Sequence, residues 1–157
     1  MTSKRKNTNP NLAQNKKAYH DYEILDKYEA GIVLVGSEVK SVKDGKVSLK
    51  ECYAKFIEGE LFVTGMHISE FREANINNHE PLRTRKLLLH RQELKKLAAK
   101  LQNVGLTIIP LRMYKKKHLI KVEIGLCKGK REYEKRSAIK EREVKRELDR
   151  VTKSFRK

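Results

Sequence analysis

LTIIPLRMY at 106–114 and HLIKVEIGLC at 118–127, joined by Lys115-Lys116-Lys117, decide the fold. In the second segment Ile120, Val122, Ile124 and Leu126 alternate with Lys121 and Glu123. Successive side chains of a strand point to opposite faces, so one face is apolar and the other charged. That is the pattern of a half-buried antiparallel strand. Pro110 cannot donate to a ladder, which puts its segment at an edge or a bulge.

Further strand signals lie upstream. Residues 22–25 are one candidate, and 30–35, with Ile32, Val33, Leu34 and Val35, read as a short buried strand. Residues 52–57 and 60–65 flank Glu58-Gly59, a hairpin turn. Two helices interrupt them. Residues 36–43 are amphipathic through Val39 and Val42, with Asp44-Gly45 as the stop. In 90–102, Leu94, Leu97, Ala98 and Leu101 follow helical spacing, and Asn103 and Gly105 end the run. Short antiparallel strands with inserted helices point to a small closed β-barrel.

The chain of 157 residues fits one domain. Its 37 Lys plus Arg against 20 Asp plus Glu leave a net charge of +17. Solubility needs far less. Such a field draws polyanions, and contacts to phosphates release counterions, so binding should weaken with salt. No apolar run approaches the roughly 18 residues that span a bilayer, so no membrane role is expected. The first residues are polar and basic, unlike a secretory signal. Cys52 and Cys127 form no CxxC pair, so neither a disulfide framework nor a metal site is expected. Both read as small buried residues of a cytoplasmic protein.

An enzyme is not expected. The chain has no GxxxxGK[ST], no GxGxxG and no GxSxG. His20, His67, His79, His90 and His118 are scattered without HExxH spacing and read as surface or RNA-contact side chains. No cofactor is implied. Four basic clusters are the stronger signal: Asn15-Lys16-Lys17, Arg83-Thr84-Arg85-Lys86, Lys115-Lys116-Lys117 and Lys128-Gly129-Lys130-Arg131. On a barrel they could share one face and hold the backbone of a folded RNA at several points. Six Tyr, four Phe and no Trp are too few for a platform that stacks single-stranded bases.

Residues 128–157 are dominated by charge. Val144, Leu148, Val151 and Phe155 form one narrow stripe on a helix. A stripe this thin makes an isolated helix marginal. The segment is expected to be mobile and to fold on a partner, with docking on the barrel as the alternative.

Several blocks together resemble the SsrA-binding protein (SmpB) family. They are Asn15-Lys16-Lys17-Ala18, Glu29-Ala30-Gly31-Ile32, Gly36-Ser37-Glu38-Val39-Lys40-Ser41 and the run from Pro81 to Leu89. Gly125-Leu126-Cys127-Lys128-Gly129-Lys130, Tyr133-Glu134-Lys135-Arg136 and Ile139-Lys140-Glu141-Arg142-Glu143 complete the set. The resemblance runs in order from Asn15 to Arg142.

The resemblance implies an OB-like, six-stranded antiparallel β-barrel with about three α-helices and a C-terminal tail disordered when free. It divides the chain into a flexible basic arm (1–14), an RNA-binding barrel (15–130) and a basic tail (131–157) that becomes helical on the ribosome. It implies a monomeric partner of transfer-messenger RNA that brings this RNA to stalled ribosomes. The tail would occupy the decoding centre and empty mRNA channel of the small subunit. A ribosomal protein or assembly factor binding rRNA is the alternative.

Carried onto this chain, the RNA-face residues are Asn15, Lys16, Lys17, Glu29, Glu38 and Lys40, then Arg83, Arg85, Lys86, Leu88 and His90. Lys128 and Lys130 join them as part of the last basic cluster. The tail contacts are Tyr133, Glu134, Lys135, Arg136, Lys140, Arg142 and Lys145. The family often has Asp where this chain has Glu134. Lys and Arg would neutralise phosphates, while Asn15 and His90 would bond bases or 2′-hydroxyls.

Overall fold

The computed structural model describes residues 11–72 and 78–130, the backbone of 132–155, and the side chains of 140–151 within that last stretch. The elements follow the order β1 (Asn11–Gln14), α1 (Lys16–Asp21), β2 (Tyr22–Ile32), α2 (Gly36–Lys43), β3 (Val47–Ser48), β4 (Tyr53–Ile57) and β5 (Glu60–Thr64). They continue with β6 (His67–Ile68), β7 (Arg85–Leu88), α3 (Arg91–Lys100), β8 (Leu106–Lys116), β9 (Leu119–Gly129) and α4 (Glu132–Phe155).

Six strands close on themselves in the order β8-β4-β5-β7-β2-β9, with β9 pairing back to β8. All the pairings are antiparallel. Closure leaves no open sheet edge around the ring. The strand β1 is added outside this six-stranded barrel, and β3 with β6 forms a separate ribbon. The free side of β8 is shared: Ile108 faces Ala54 of β4, while Arg112 and Met113 face Gln14 and Ala13 of β1. The register of β8 on β9 shifts between Pro110 and Arg112, the bulge that the proline foreshadows.

The hairpin that decides the fold is buried on both sides. Ile108, Met113, Val122 and Ile124 lie in the main core with Leu61, Val63, Leu87 and Leu97. Ile109, Leu111 and Cys127 face outward into a second cluster that Ala18 of α1 covers. Gly125 sits over Leu111, where an added Cβ would come within 2.8 Å of Cδ1 and 3.2 Å of Cγ.

The turn at Glu58-Gly59 has positive φ at both residues, 51° and 78°, as a tight hairpin needs. α3 lays Leu97 into the core, with Leu94 and Leu101 beside it. Ala98, expected on the same stripe, is exposed.

Two expectations change. Residues 11–14 are strand β1 rather than the end of a flexible arm, because β8 has unpaired length beyond β4 to receive them; the rest of that arm lies outside the described residues. The segments 22–25 and 30–35 are not separate strands. One strand runs through Ile32, and Val33 and Val35 are 44% exposed. The tail is helical over Glu132–Phe155. Pairs at helical spacing such as Glu141 and Lys145, with no Pro or Gly in the segment, favour that form. Residues 140–151 are all exposed, so the helix over that span is not packed into the barrel.

Candidate nucleic-acid interface

The first basic group is built around α1. Asn15 caps this helix by accepting from the Ala18 N–H at 3.1 Å. Its amide group donates to the Leu49 and Pro110 carbonyls at 3.0 and 3.1 Å. With every side-chain contact spent inside and 6% of the residue exposed, Asn15 fixes α1 rather than offering itself to a ligand. What it presents is Lys16 and Lys17, both exposed. Lys130 joins them, donating from Nζ to the Tyr19 carbonyl at 3.3 Å, and Lys128 lies opposite Glu23 across β2 and β9.

The cleft of about 430 Å³ beside α1 includes Lys17, Tyr22, Tyr53 and Cys52. Burial pushes the Cys52 thiol up to about 12, so it is no nucleophile at neutral pH.

The second group lies under and beside α2. Glu38, at the third position of this helix, accepts the Val35 N–H through Oε1 at 3.0 Å, satisfying a donor at the helix start. It also accepts from Arg83 through Oε1 and from the Arg85 Nε–H through Oε2. Glu38 and Arg85 are fully buried. Arg85 donates further to the carbonyls of Met66 at 2.7 Å and Pro81 at 3.1 Å. Burial works to raise the Glu38 carboxyl. The hydrogen bonds from Arg83, the Val35 N–H and Arg85 outweigh it and hold the carboxyl below its ordinary value. Direct RNA contact, expected of Glu38 and Arg85, is thus replaced by an internal role: together they fix the chain that carries Arg83 and Lys86. Ser37 and His79 extend the network, with 2.8 Å between Ser37 Oγ and His79 Nδ1, and His79 Nε2 reaching the Ile68 carbonyl at 2.9 Å. The expectation of a surface histidine is corrected here, since His79 is 7% exposed.

The third group is at the far end of β2. Leu88 of β7 lies opposite Gly31 and is 50% exposed. Glu29 is 41% exposed, with Lys116 at 3.2 Å and the Tyr114 hydroxyl donating to it. Hydrogen bonds from Tyr114 and Lys116 hold the Glu29 carboxyl below its ordinary value. Lys86 pairs with Glu60 at 3.0 Å, and His90 is exposed at the start of α3. Lys40 is exposed on α2, with Nζ 5.4 Å from the Phe71 ring centre.

The groups are spread along the length of β2. Lys16, Lys17, Lys128 and Lys130 stand at one end of β2, whereas Leu88 and Lys116 stand near the other. Glu23 and Gly31, which mark the two ends, are eight residues apart, roughly 26 Å along an extended strand. Lys140, Arg142 and Lys145 are exposed on α4. Tyr133, Glu134, Lys135 and Arg136 fall within α4, but their side chains lie outside the described residues. Sequence reasoning missed Tyr114 as the partner of Glu29; 85 positions separate the two, and no local pattern links them. No group of His, Cys, Asp and Glu suited to a metal ion occurs among the described residues.

A family model described as SmpB protein matches residues 12–154. The SsrA-binding protein of Syntrophobacter fumaroxidans is 54% identical over 92% of this chain and 90% of its own. That of Limosilactobacillus fermentum is 55% identical over 92% of each. A solved structure described as "tmRNA-SmpB: a journey to the center of the bacterial ribosome" contains a chain with 43% identity and a TM-score of 0.66. The match covers 83% of this chain and 94% of that one. The chain belongs to the SmpB family.

Proposed function

We propose that this protein binds the tRNA-like domain of SsrA transfer-messenger RNA and delivers it to stalled ribosomes for trans-translation. It acts as a cytoplasmic adaptor without an active site of its own, and peptide transfer stays with the ribosome. The barrel grips the RNA, and the cationic helix α4, exposed over 140–151, enters the decoding centre and the empty mRNA channel. There Lys140, Arg142 and Lys145 face rRNA phosphates, and Tyr133, Glu134, Lys135 and Arg136 meet the decoding centre.

One observation carries this reading: exposed cations sit at both ends of one rigid strand, β2, on a closed barrel. A single strand of RNA does not need such spacing, whereas a folded RNA presents phosphates at separated, fixed points. Asn15, Glu38 and Arg85 support that surface from within. The exposed Lys16, Lys17, Lys40, Leu88, His90 and Lys128, with the half-buried Lys86 and Lys130 and with Arg83 and Glu29, make the contacts.

The test is recovery of the full chain from cells with and without stalled ribosomes, followed by sequencing of the bound RNA. SsrA RNA dominating the recovered pool, with ribosomes joining on stalling, is expected. Ribosomal RNA bound equally in both conditions would instead point to a ribosomal protein or assembly factor.

A further inference from the structure

The cleft of about 430 Å³ beside α1 has aromatic walls. Tyr53 opens β4 on one side, and Tyr22 opens β2 on the other. In the sheet β8 and β9 stand between these two strands, and Thr107 and Ile109 of β8 line the space between the rings. Tyr53 is 44% exposed and Tyr22 is half-buried, so a ligand can reach both from solvent. The volume lies in the range of small-ligand sites and is too small for a duplex.

Charge is divided between this cleft and the groove next to it. One cation, Lys17, and two carboxylates, Asp21 and Glu51, line the cleft. Lys17 lies 3.7 Å from Glu51, and Asp21 is 2.7 Å from His20. A phosphate gains little in such a place. An uncharged base gains ring faces to stack on and polar groups for its edge. The neighbouring groove of about 300 Å³ shares Asn15 and Lys17 with the cleft and adds the exposed Lys16 and Lys50. Among the described residues no carboxylate lines that groove. Lys27 and Lys130 meet α1 at Tyr19, which lines neither space. A base and its own phosphate thus find suitable surroundings on the two sides of Lys17.

Glu51, at the cleft, has a φ of +62°, which costs energy for any residue with a Cβ. Strain of this kind collects where ligands are held.

We propose that the cleft takes one unpaired base of a bound RNA between Tyr22 and Tyr53, with the adjoining phosphate seated in the groove of Lys16, Lys17 and Lys50. The proposal rests on the RNA-binding reading above and adds Tyr22, Tyr53 and Lys50 to its contacts. No covalent step is involved. SsrA RNA and ribosomal RNA both carry unpaired bases, and the two are told apart by where a cross-link falls.

The full chain with Tyr53→p-azidophenylalanine is irradiated on a transcript of the tRNA-like domain of SsrA RNA, and separately with SsrA RNA on stalled ribosomes. Primer extension maps the adducts. One unpaired nucleotide, in one of the two RNAs, is expected. Tyr53→Leu weakens binding to the RNA that carries it by roughly 5- to 150-fold, the range for losing one base–aromatic stack. Tyr53→Phe keeps the ring and binds as the wild type does. Making that nucleotide abasic costs the wild type the same factor and costs Tyr53→Leu nothing further. Lys50→Met lowers the salt slope by roughly one, whereas Tyr53→Leu leaves it unchanged.

Adducts absent from both RNAs, or scattered over paired nucleotides, would overturn the proposal, as would full affinity in Tyr53→Leu. If Tyr53→Leu unfolds, the abasic replacement and the Lys50→Met salt slope still decide. Failure of the wild type to bind either RNA in any salt would instead defeat the RNA-binding reading itself.

Discussion

Glu38 and Arg85, 47 positions apart, bond to each other where neither has any exposure to solvent. Two charges in such a place cost much to desolvate, and their mutual attraction repays this only if every remaining bond is made. Here the carboxylate has three donors and the guanidinium has carbonyl partners. Removing one side strands the other. Arg85→Met should lower unfolding stability by about 3–5 kcal/mol, read by urea denaturation. A change below about 1 kcal/mol would mean that the pair is not buried as described.

The same pair gives a pH dependence. The Glu38 carboxyl lies below its ordinary value of 4.5 in the folded protein, so unfolding raises its affinity for protons. Its contribution is fully present above pH 4.5 and is lost as pH falls through the lower folded value. Thermal unfolding midpoints should decline on acidification below that point, and less steeply in Glu38→Gln. Parallel declines would assign the loss to other carboxylates.

Asn15→Ala removes a helix cap, worth about 1 kcal/mol, and leaves the Leu49 and Pro110 carbonyls without their side-chain donor. With a buried unpaired acceptor adding about 1–3 kcal/mol, the loss should exceed that of an ordinary cap. The variant should bind RNA more weakly through displaced Lys16 and Lys17, and saturating RNA should restore part of its thermal stability. An unchanged unfolding curve would contradict the role given to Asn15.

Gly125→Ala pushes a methyl group against Leu111, which is fully buried. Overpacking of this kind costs about 1–3 kcal/mol. Shortening Leu111 to Ala in the same chain should relieve the clash, so a double-mutant cycle should show coupling between the two sites.

Cys52 and Cys127 should resist alkylation in the native state. Burial raises their thiols to about 12 and about 11, which leaves little thiolate at neutral pH. Iodoacetamide labelling should appear only with denaturant. Rapid labelling of either thiol in buffer would show that α1 or the β4 end opens readily.

What the sequence discloses follows from the range of each signal. α2, α3, the hairpin at Glu58-Gly59 and the β8–β9 pair are local patterns, and each lies within a few residues of its expected place. β2 is hard to read as one strand because the half-exposed Asp26 interrupts its alternate row of apolar residues, satisfied there by the Lys100 ammonium and the Tyr28 hydroxyl from 74 and two positions away. β7 reads as a basic cluster because Arg85 points inward beside Leu87, and only the distant Glu38 makes that tolerable. Residue type marked Asn15, Glu38 and Arg85 as part of the site. Only the tertiary structure separates those that hold the surface from those that form it, and places Tyr114 behind Glu29.

The most direct test compares the full chain with a chain ending at Lys130, measuring affinity for the tRNA-like domain and tagging of stalled ribosomes in one preparation. The account predicts that the shortened chain keeps its salt-sensitive grip on the RNA and loses tagging. Affinity falling in step with tagging would contradict the division of labour between barrel and helix.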